Sequence, residues 1–171
     1  MVVDHCVEEN YAKFGNGIFL TGSGVVSNCV FRNSAMTGNG NGDLSHEFHL
    51  EGNAVMTHCV VSNLSFKDDM NYGGCRAFVS LAGSAVLRNT LFADNRFNAQ
   101  LTYNPNGIVY ATENVTVENC TFVGNLAPVN NGAVLAIDSD TTAKAVYRNL
   151  IFDDNTIYGS TSSRDILDKK Y

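Results

Sequence analysis

The sequence predicts an all-β solenoid, a parallel β-helix of about five to six coils wound from a repeat of about thirty residues. Three observations carry this reading: a fixed period, a strand-like alternation inside each copy, and turn residues at the same place in every copy. The period shows in the phrases Asn28-Cys29-Val30-Phe31, His58-Cys59-Val60-Val61, Asn89-Thr90-Leu91-Phe92, Asn119-Cys120-Thr121-Phe122 and Asn149-Leu150-Ile151-Phe152. Their third members, Val30, Val60, Leu91, Thr121 and Ile151, are separated by 30, 31, 30 and 30 residues. A looser copy, His5-Cys6-Val7, begins 23 residues before the Cys29 copy. Each repeat is one supersecondary unit whose apolar face is covered by its neighbours.

The first element of each copy is a short strand: Gly17-Ile18-Phe19-Leu20, Glu47-Phe48-His49-Leu50, Phe78-Val79-Ser80-Leu81, Gly107-Ile108-Val109-Tyr110 and Gly132-Ala133-Val134-Leu135. A Gly or Asn-Gly precedes most of them and supplies the turn. The second element opens on a small-residue column, Gly24, Ala54, Ala85, Val115 and Ala145, and continues to the apolar column Val26, Met56, Leu87, Val117 and Tyr147. The next position is variable and polar, Ser27, Thr57, Arg88, Glu118 and Arg148, as alternation between core and water requires of a strand. Parity then breaks at Asn28, His58, Asn89, Asn119 and Asn149, because the inward positions resume at Cys29 and Phe31 and their equivalents. Asn tolerates left-handed backbone better than most residues, so a one-residue corner is expected there. Two or three strands per copy, stacked at roughly 4.8 Å, pile like residues on like.

Composition agrees with this architecture. Hydrophobic residues make up 44% of the chain, and two prolines with fifteen glycines suit many tight turns. The whole chain, residues 1–171, is expected to form one domain whose last coil opens at Ile166-Leu167 and stops short. Open ends expose unpaired strand edges, so a cap, a partner chain, a homo-oligomer through the ends or a missing remainder of the protein, of which this chain would be a fragment, is expected. No apolar run approaches the length of about eighteen residues that spans a membrane, so membrane insertion is not expected. Met1-Val2-Val3 leads straight into Asp4-His5-Cys6 without a signal peptide. The net charge is −6 and no basic stripe is present, which argues against nucleic acid as a partner.

Of the five cysteines, Cys6, Cys29, Cys59 and Cys120 fall in one core column shared with Thr90 and Leu150, where a thiol serves as a small hydrophobe. Parallel side-chain vectors disfavour disulfides between them, and no Cys-x-x-Cys pair offers a zinc site. Cys75 lies off the column.

Three groups of residues have the chemistry of a site. Glu47, His49 and Glu51 share the outer face of one strand, and two carboxylates beside an imidazole could bind a cation or move protons at a sugar. These three are the catalytic candidates, weighed against a plain solvated face. Phe19, His49, Ser80 and Tyr110 stack in the same outward column, so Phe19, His49 and Tyr110 form a candidate platform for a glycan. Asp138 with Asp140, and Asp153 with Asp154, sit in turns that could offer oxygen ligands to calcium, although turn chemistry alone explains them. No other cofactor is expected.

The phrases Phe92-Ala93-Asp94-Asn95, Phe122-Val123-Gly124-Asn125 and Phe152-Asp153-Asp154-Asn155 fit a Phe-x-x-Asn repeat. Asn16-Gly17-Ile18-Phe19, Asn106-Gly107-Ile108-Val109 and Asn131-Gly132-Ala133-Val134 look like its companion Gly-Gly-Ala-Ile element. Together they resemble the repeats of the right-handed, single-stranded parallel β-helices of the pectin-lyase-like superfamily, most closely those of polymorphic outer-membrane and autotransporter-type surface proteins. The resemblance covers about residues 5 to 160, with departures at Phe31-Arg32-Asn33, which is one residue short, and at Val61, which replaces the Phe. It implies an extracellular or cell-surface location and contact with glycan or protein. Polysaccharide lyases and glycoside hydrolases share the fold, but the Gly-His-Gly and Arg-x-Lys strings that similarity to the polygalacturonase group would demand are missing. The expectation is therefore a non-enzymatic, adhesin-like solenoid, with a carbohydrate-cleaving enzyme as the alternative and a structural subunit as the third reading.

Overall fold

A computed structural model describes residues 1–10, 12–14, 18–37, 46–67, 77–97, 107–128, 133–138, 144–159 and 165–168. The described chain is built from four parallel sheets, A to D, each of six strands. Every coil contributes one strand to each sheet in turn. Coil 4 shows the plan: Val86–Arg88 in sheet A, Leu91–Ala93 in B, Arg96–Phe97 in C and Gly107–Thr112 in D. Coil 1 begins at Val2–Asp4 and coil 6 ends at Ile166–Asp168. No helix among the described residues is long and apolar enough to cross a membrane.

The register reproduces the sequence columns. Val26 pairs with Met56, Met56 with Leu87, Leu87 with Val117 and Val117 with Tyr147. In sheet B the inward column runs Phe31, Val61, Phe92, Phe122 and Phe152. The last three rings lie nearly parallel, with centroids 5.0 Å apart in each pair. Residues of all four sheets meet in one continuous core, from Leu20 through Met56 and Phe92 to Ile137.

Each coil has four strands, where the sequence pattern had shown two or three. The added strand, in sheet C, is Ser65–Lys67, Arg96–Phe97 or Leu126–Ala127 in successive coils. Two or three residues turn a single side chain inward, Phe66 or Phe97, which is too short a stretch for alternation to declare itself.

Among the described residues, the corners from A to B, B to C and D to A share one device. Between sheets A and B, His5, Asn28, His58, Asn89, Asn119 and Asn149 all have φ between 49° and 54°, as the parity break predicted. Between B and C the left-handed residues are Asn10, Asn33, Asn63, Asp94, Gly124 and Asp154. Between D and A they are Gly22, Gly52, Gly83 and Glu113. At that last corner the coils nearly touch: a Cβ on Gly83 would lie 2.9 Å from the Gly52 nitrogen, whereas one on Gly22 would meet nothing within 4 Å. Gly83→Ala is expected to lower stability by about 2 to 3 kcal/mol and Gly22→Ala by about 1 kcal/mol, since both pay left-handed strain but only the first adds a clash. Denaturant midpoints of the two variants check the order.

Candidate functional site

The predicted core column of thiols is present, and its geometry explains the interchange of residue types. The Sγ of Cys29 donates to the Ser27 carbonyl at 2.9 Å, and those of Cys59 and Cys120 reach the carbonyls of Thr57 and Glu118 at 3.3 Å. Thr90 makes the same bond with its hydroxyl, to Arg88 at 2.9 Å. A short side chain with one donor thus satisfies the carbonyl two residues back at these four A–B corners. The four described thiols are free, and Cys6 is exposed because coil 1 has a neighbour on one side only. Cys75 lies outside the described residues.

Burial pushes the Cys59 and Cys120 thiols up to about 11 and raises that of Cys29. From the ordinary value of 9.0 upward the unfolded chain sheds protons that the folded chain keeps, so stability falls as pH rises from there to about 11. Unfolding at pH 8 and pH 10 is expected to show that loss, and Cys59→Thr with Cys120→Thr to reduce it; equal pH dependence in both proteins would rule the thiols out as its source.

A second inward polar column was not recognised as such in the sequence. Asn95, Asn125 and Asn155 stand at the first inward position after the B–C corner and are 0%, 0% and 4% exposed. Each amide bridges coils. The Asn125 Oδ1 accepts from the Asn95 backbone N–H at 3.1 Å and from its Nδ2 at 3.0 Å, while the Asn125 Nδ2 donates to the Phe92 carbonyl at 3.0 Å and to the Asn155 Oδ1 at 2.9 Å. The signal was in the Phe-x-x-Asn spacing, but a polar residue beside a turn reads as surface.

On the outside of sheet D the expected column is in register: Phe19 beside His49, His49 beside Ser80, Ser80 beside Tyr110. Its exposure is not uniform. Phe19 is 51% exposed and its ring stacks on His49, with centroids 4.6 Å apart and planes 13° from parallel. The His49 Nε2 lies 3.8 Å from a Glu51 carboxylate oxygen, and Glu51 follows the strand His46–Leu50. Ser80 and Tyr110 are buried, Tyr110 in a small cluster with Ala77 and Ala136. Outward parity therefore places Tyr110 beyond sheet D without leaving it open to solvent. The structure joins Phe19, His49 and Glu51 on one surface; the Glu47 side chain lies outside the described residues.

The acidic turns divide likewise. Asp153 ends the strand Ile151–Asp153, its carbonyl accepts from the Gly124 N–H at 3.0 Å, and Asp154 is the left-handed corner at φ 49°. Asp138 ends a strand of sheet D; its side chain, and Asp140 altogether, lie outside the described residues. Among the described residues no three His, Cys, Asp or Glu side chains come together as a metal site. In the variable polar column that holds Arg88, Glu118 and Arg148, Arg148 and Glu118 are paired at 2.6 Å, and Arg88 stands in register with Glu118. At the other end Asp4 accepts from the Ser27 hydroxyl at 2.6 Å and from the Asn28 amide, bonds that with His5 hold its carboxyl down to about 2.

A family model described as the right handed beta helix region matches residues 3–166. The chain belongs to the right-handed β-helix family. The four parallel sheets and the left-handed corners between them are this β-helix seen coil by coil, and the match takes in the Phe19–His49 surface. No curated protein and no solved structure gives a match.

Proposed function

We propose that this β-helix is a non-enzymatic, adhesin-like protein, secreted or held at a cell surface, that contacts glycan or protein along a flat outer side. The observation that supports it is the Phe19–His49 stack, a half-exposed aromatic platform whose two rings are fixed by the pairing of adjacent coils. Sugar rings offer C–H faces that pack on such aromatic faces, and Glu51 beside the imidazole supplies an acceptor for a hydroxyl. The outer face of sheet B adds a broad uncharged surface in coils 3 to 5, made of Val60, Ser62, Leu91, Ala93, Thr121 and Val123. The resemblance of the repeats to those of autotransporter-type proteins supports the location.

The His49–Glu51 pair, 3.8 Å apart, favours one second reading, carbohydrate cleavage with these groups exchanging protons. Glycan-array binding by the 171-residue chain, weakened about tenfold or more by Phe19→Ala, is the result expected of an adhesin. New unsaturated or reducing ends from acidic polysaccharides, with or without calcium, that vanish in His49→Ala or Glu51→Gln would establish the enzyme instead. Neither binding nor turnover would leave a purely structural subunit.

A further inference from the structure

The thiol column runs unbroken through three successive coils. Cys6, Cys29 and Cys59 follow one another in it, then Thr90 interrupts, and Cys120 stands between Thr90 and Leu150. The coils are joined in register beside each thiol: the Val30 N–H donates to the Cys6 carbonyl at 2.8 Å and the Val60 N–H to the Cys29 carbonyl at 2.9 Å. Each sulfur is oriented alike, on the carbonyl two residues back, Asp4 for Cys6, Ser27 for Cys29 and Thr57 for Cys59. Parallel strands lie about 4.8 Å apart, so the sulfurs stack along the axis near that spacing, and the thiols of adjacent coils interact, Cys6 with Cys29 and Cys29 with Cys59. This is too wide for a disulfide, whose Cβ atoms stand about 3.8 Å apart. It is close to twice a metal–thiolate bond of about 2.3 Å. The backbone adds to the fit: the Cys6 N–H donates to the Cys29 sulfur at 3.4 Å, and the Cys29 backbone makes the corresponding bond to Cys59. Such bonds stabilise a thiolate once a metal has displaced its proton.

We propose that Cys29 and Cys59 bind one Cu(I) ion between them, as a linear, two-coordinate S–Cu–S bridge from coil 2 to coil 3. Soft thiolates select Cu(I). Zinc and iron–sulfur clusters ask for four ligands, and among the described residues no three His, Cys, Asp or Glu side chains converge. A two-ligand bridge asks only for what the column has: two sulfurs stacked across one coil spacing and shielded from water, Cys29 being 1% and Cys59 2% exposed. On binding, each thiol gives its proton to solvent and both sulfurs join the metal. The complex carries one negative charge, which the backbone bonds from Cys6 and Cys29 stabilise. The two ligands are thirty residues apart in the chain, so no short cysteine motif announces them. Cys120, with Thr90 and Leu150 as its neighbours in the column, is the natural control.

The test uses the full chain carrying Cys6→Ser and Cys75→Ser, which leaves Cys29, Cys59 and Cys120 as its thiols. It is refolded from urea without oxygen beside an equivalent of Cu(I), supplied as the acetonitrile complex, because both sulfurs are buried in the folded chain. Native mass spectrometry after gel filtration is expected to show a single copper per chain, and X-ray absorption to show two sulfur ligands and no nitrogen. The urea midpoint is expected to rise, since the ion binds the folded chain and ties two coils together. Cys29→Thr or Cys59→Thr is expected to abolish both the retention and the rise, and Cys120→Thr to leave them unchanged. Thr90 already occupies this column with the same hydrogen bond, so threonine keeps the fold, checked by circular dichroism. The coordination measurement needs no further variant. No retained copper, copper retained by Cys29→Thr, copper lost from Cys120→Thr, or a centre with three or four ligands would overturn the proposal.

Discussion

Asn125→Ala is expected to lower the unfolding free energy by about 4 kcal/mol, because each buried polar group left without a partner costs about 1 to 3 kcal/mol. Four groups lose a bond: the Asn95 N–H, the Asn95 side-chain amide, the Phe92 carbonyl and the Asn155 Oδ1, all of which now meet the Asn125 amide. No water replaces that amide easily, since Asn95 and Asn125 are fully enclosed. Against a typical stability of about 5 to 15 kcal/mol the loss leaves the chain near its unfolding threshold. The exposed counterpart is the control. Asn149 donates to the Asn119 Oδ1 at 3.0 Å on the solvent side of the A–B corner, so Asn149→Ala loses a bond that water can replace and adds left-handed strain, about 1 kcal/mol in all. Urea titrations of both variants test the contrast, and equal losses would show that the inner ladder is not a special source of stability.

Phe122→Ala is the second large effect, at about 4 kcal/mol. The ring is fully buried between Phe92 and Phe152, stacked on each at 5.0 Å, so truncation removes transfer energy and leaves a cavity walled by two other rings. In a solenoid each coil is supported by its two neighbours, and an interior defect weakens both interfaces. Phe152→Ala, at the half-buried end of the same column, is therefore expected to cost clearly less. Thermal unfolding followed by circular dichroism gives the ranking. A larger loss at Phe152 than at Phe122 would mean that the terminal coil, not the middle, holds the stack together.

The fold was legible because in-register stacking forces repetition: Phe92, Phe122 and Phe152 could be paired from their spacing alone, and the left-handed corner at Asn28, Asn89 and Asn119 followed from the break in parity. What stayed hidden has a common cause. Strands of sheet C such as Arg96–Phe97 are too short to show alternation. The Asn95 ladder puts polar side chains inside, against the usual inference from residue type, and becomes sensible only when the amides are seen to satisfy one another across coils. The candidate site was legible in part. Periodicity set Phe19 over His49, but it could not show that Tyr110, in the same outward column, is enclosed, because a side chain's parity fixes its direction and not what covers it.

The central claim is that successive coils are hydrogen-bonded in parallel register, each corner carbonyl accepting from the strand one coil on. Scalar couplings across hydrogen bonds, measured by NMR in solution, test it directly. The β-helix predicts couplings from the Leu91 N–H to the Cys59 carbonyl, from Thr121 to Thr90 and from Ile151 to Cys120, whose N···O distances are all 3.0 Å. Couplings that instead link these amides to antiparallel partners, or a register displaced by a residue, would contradict it.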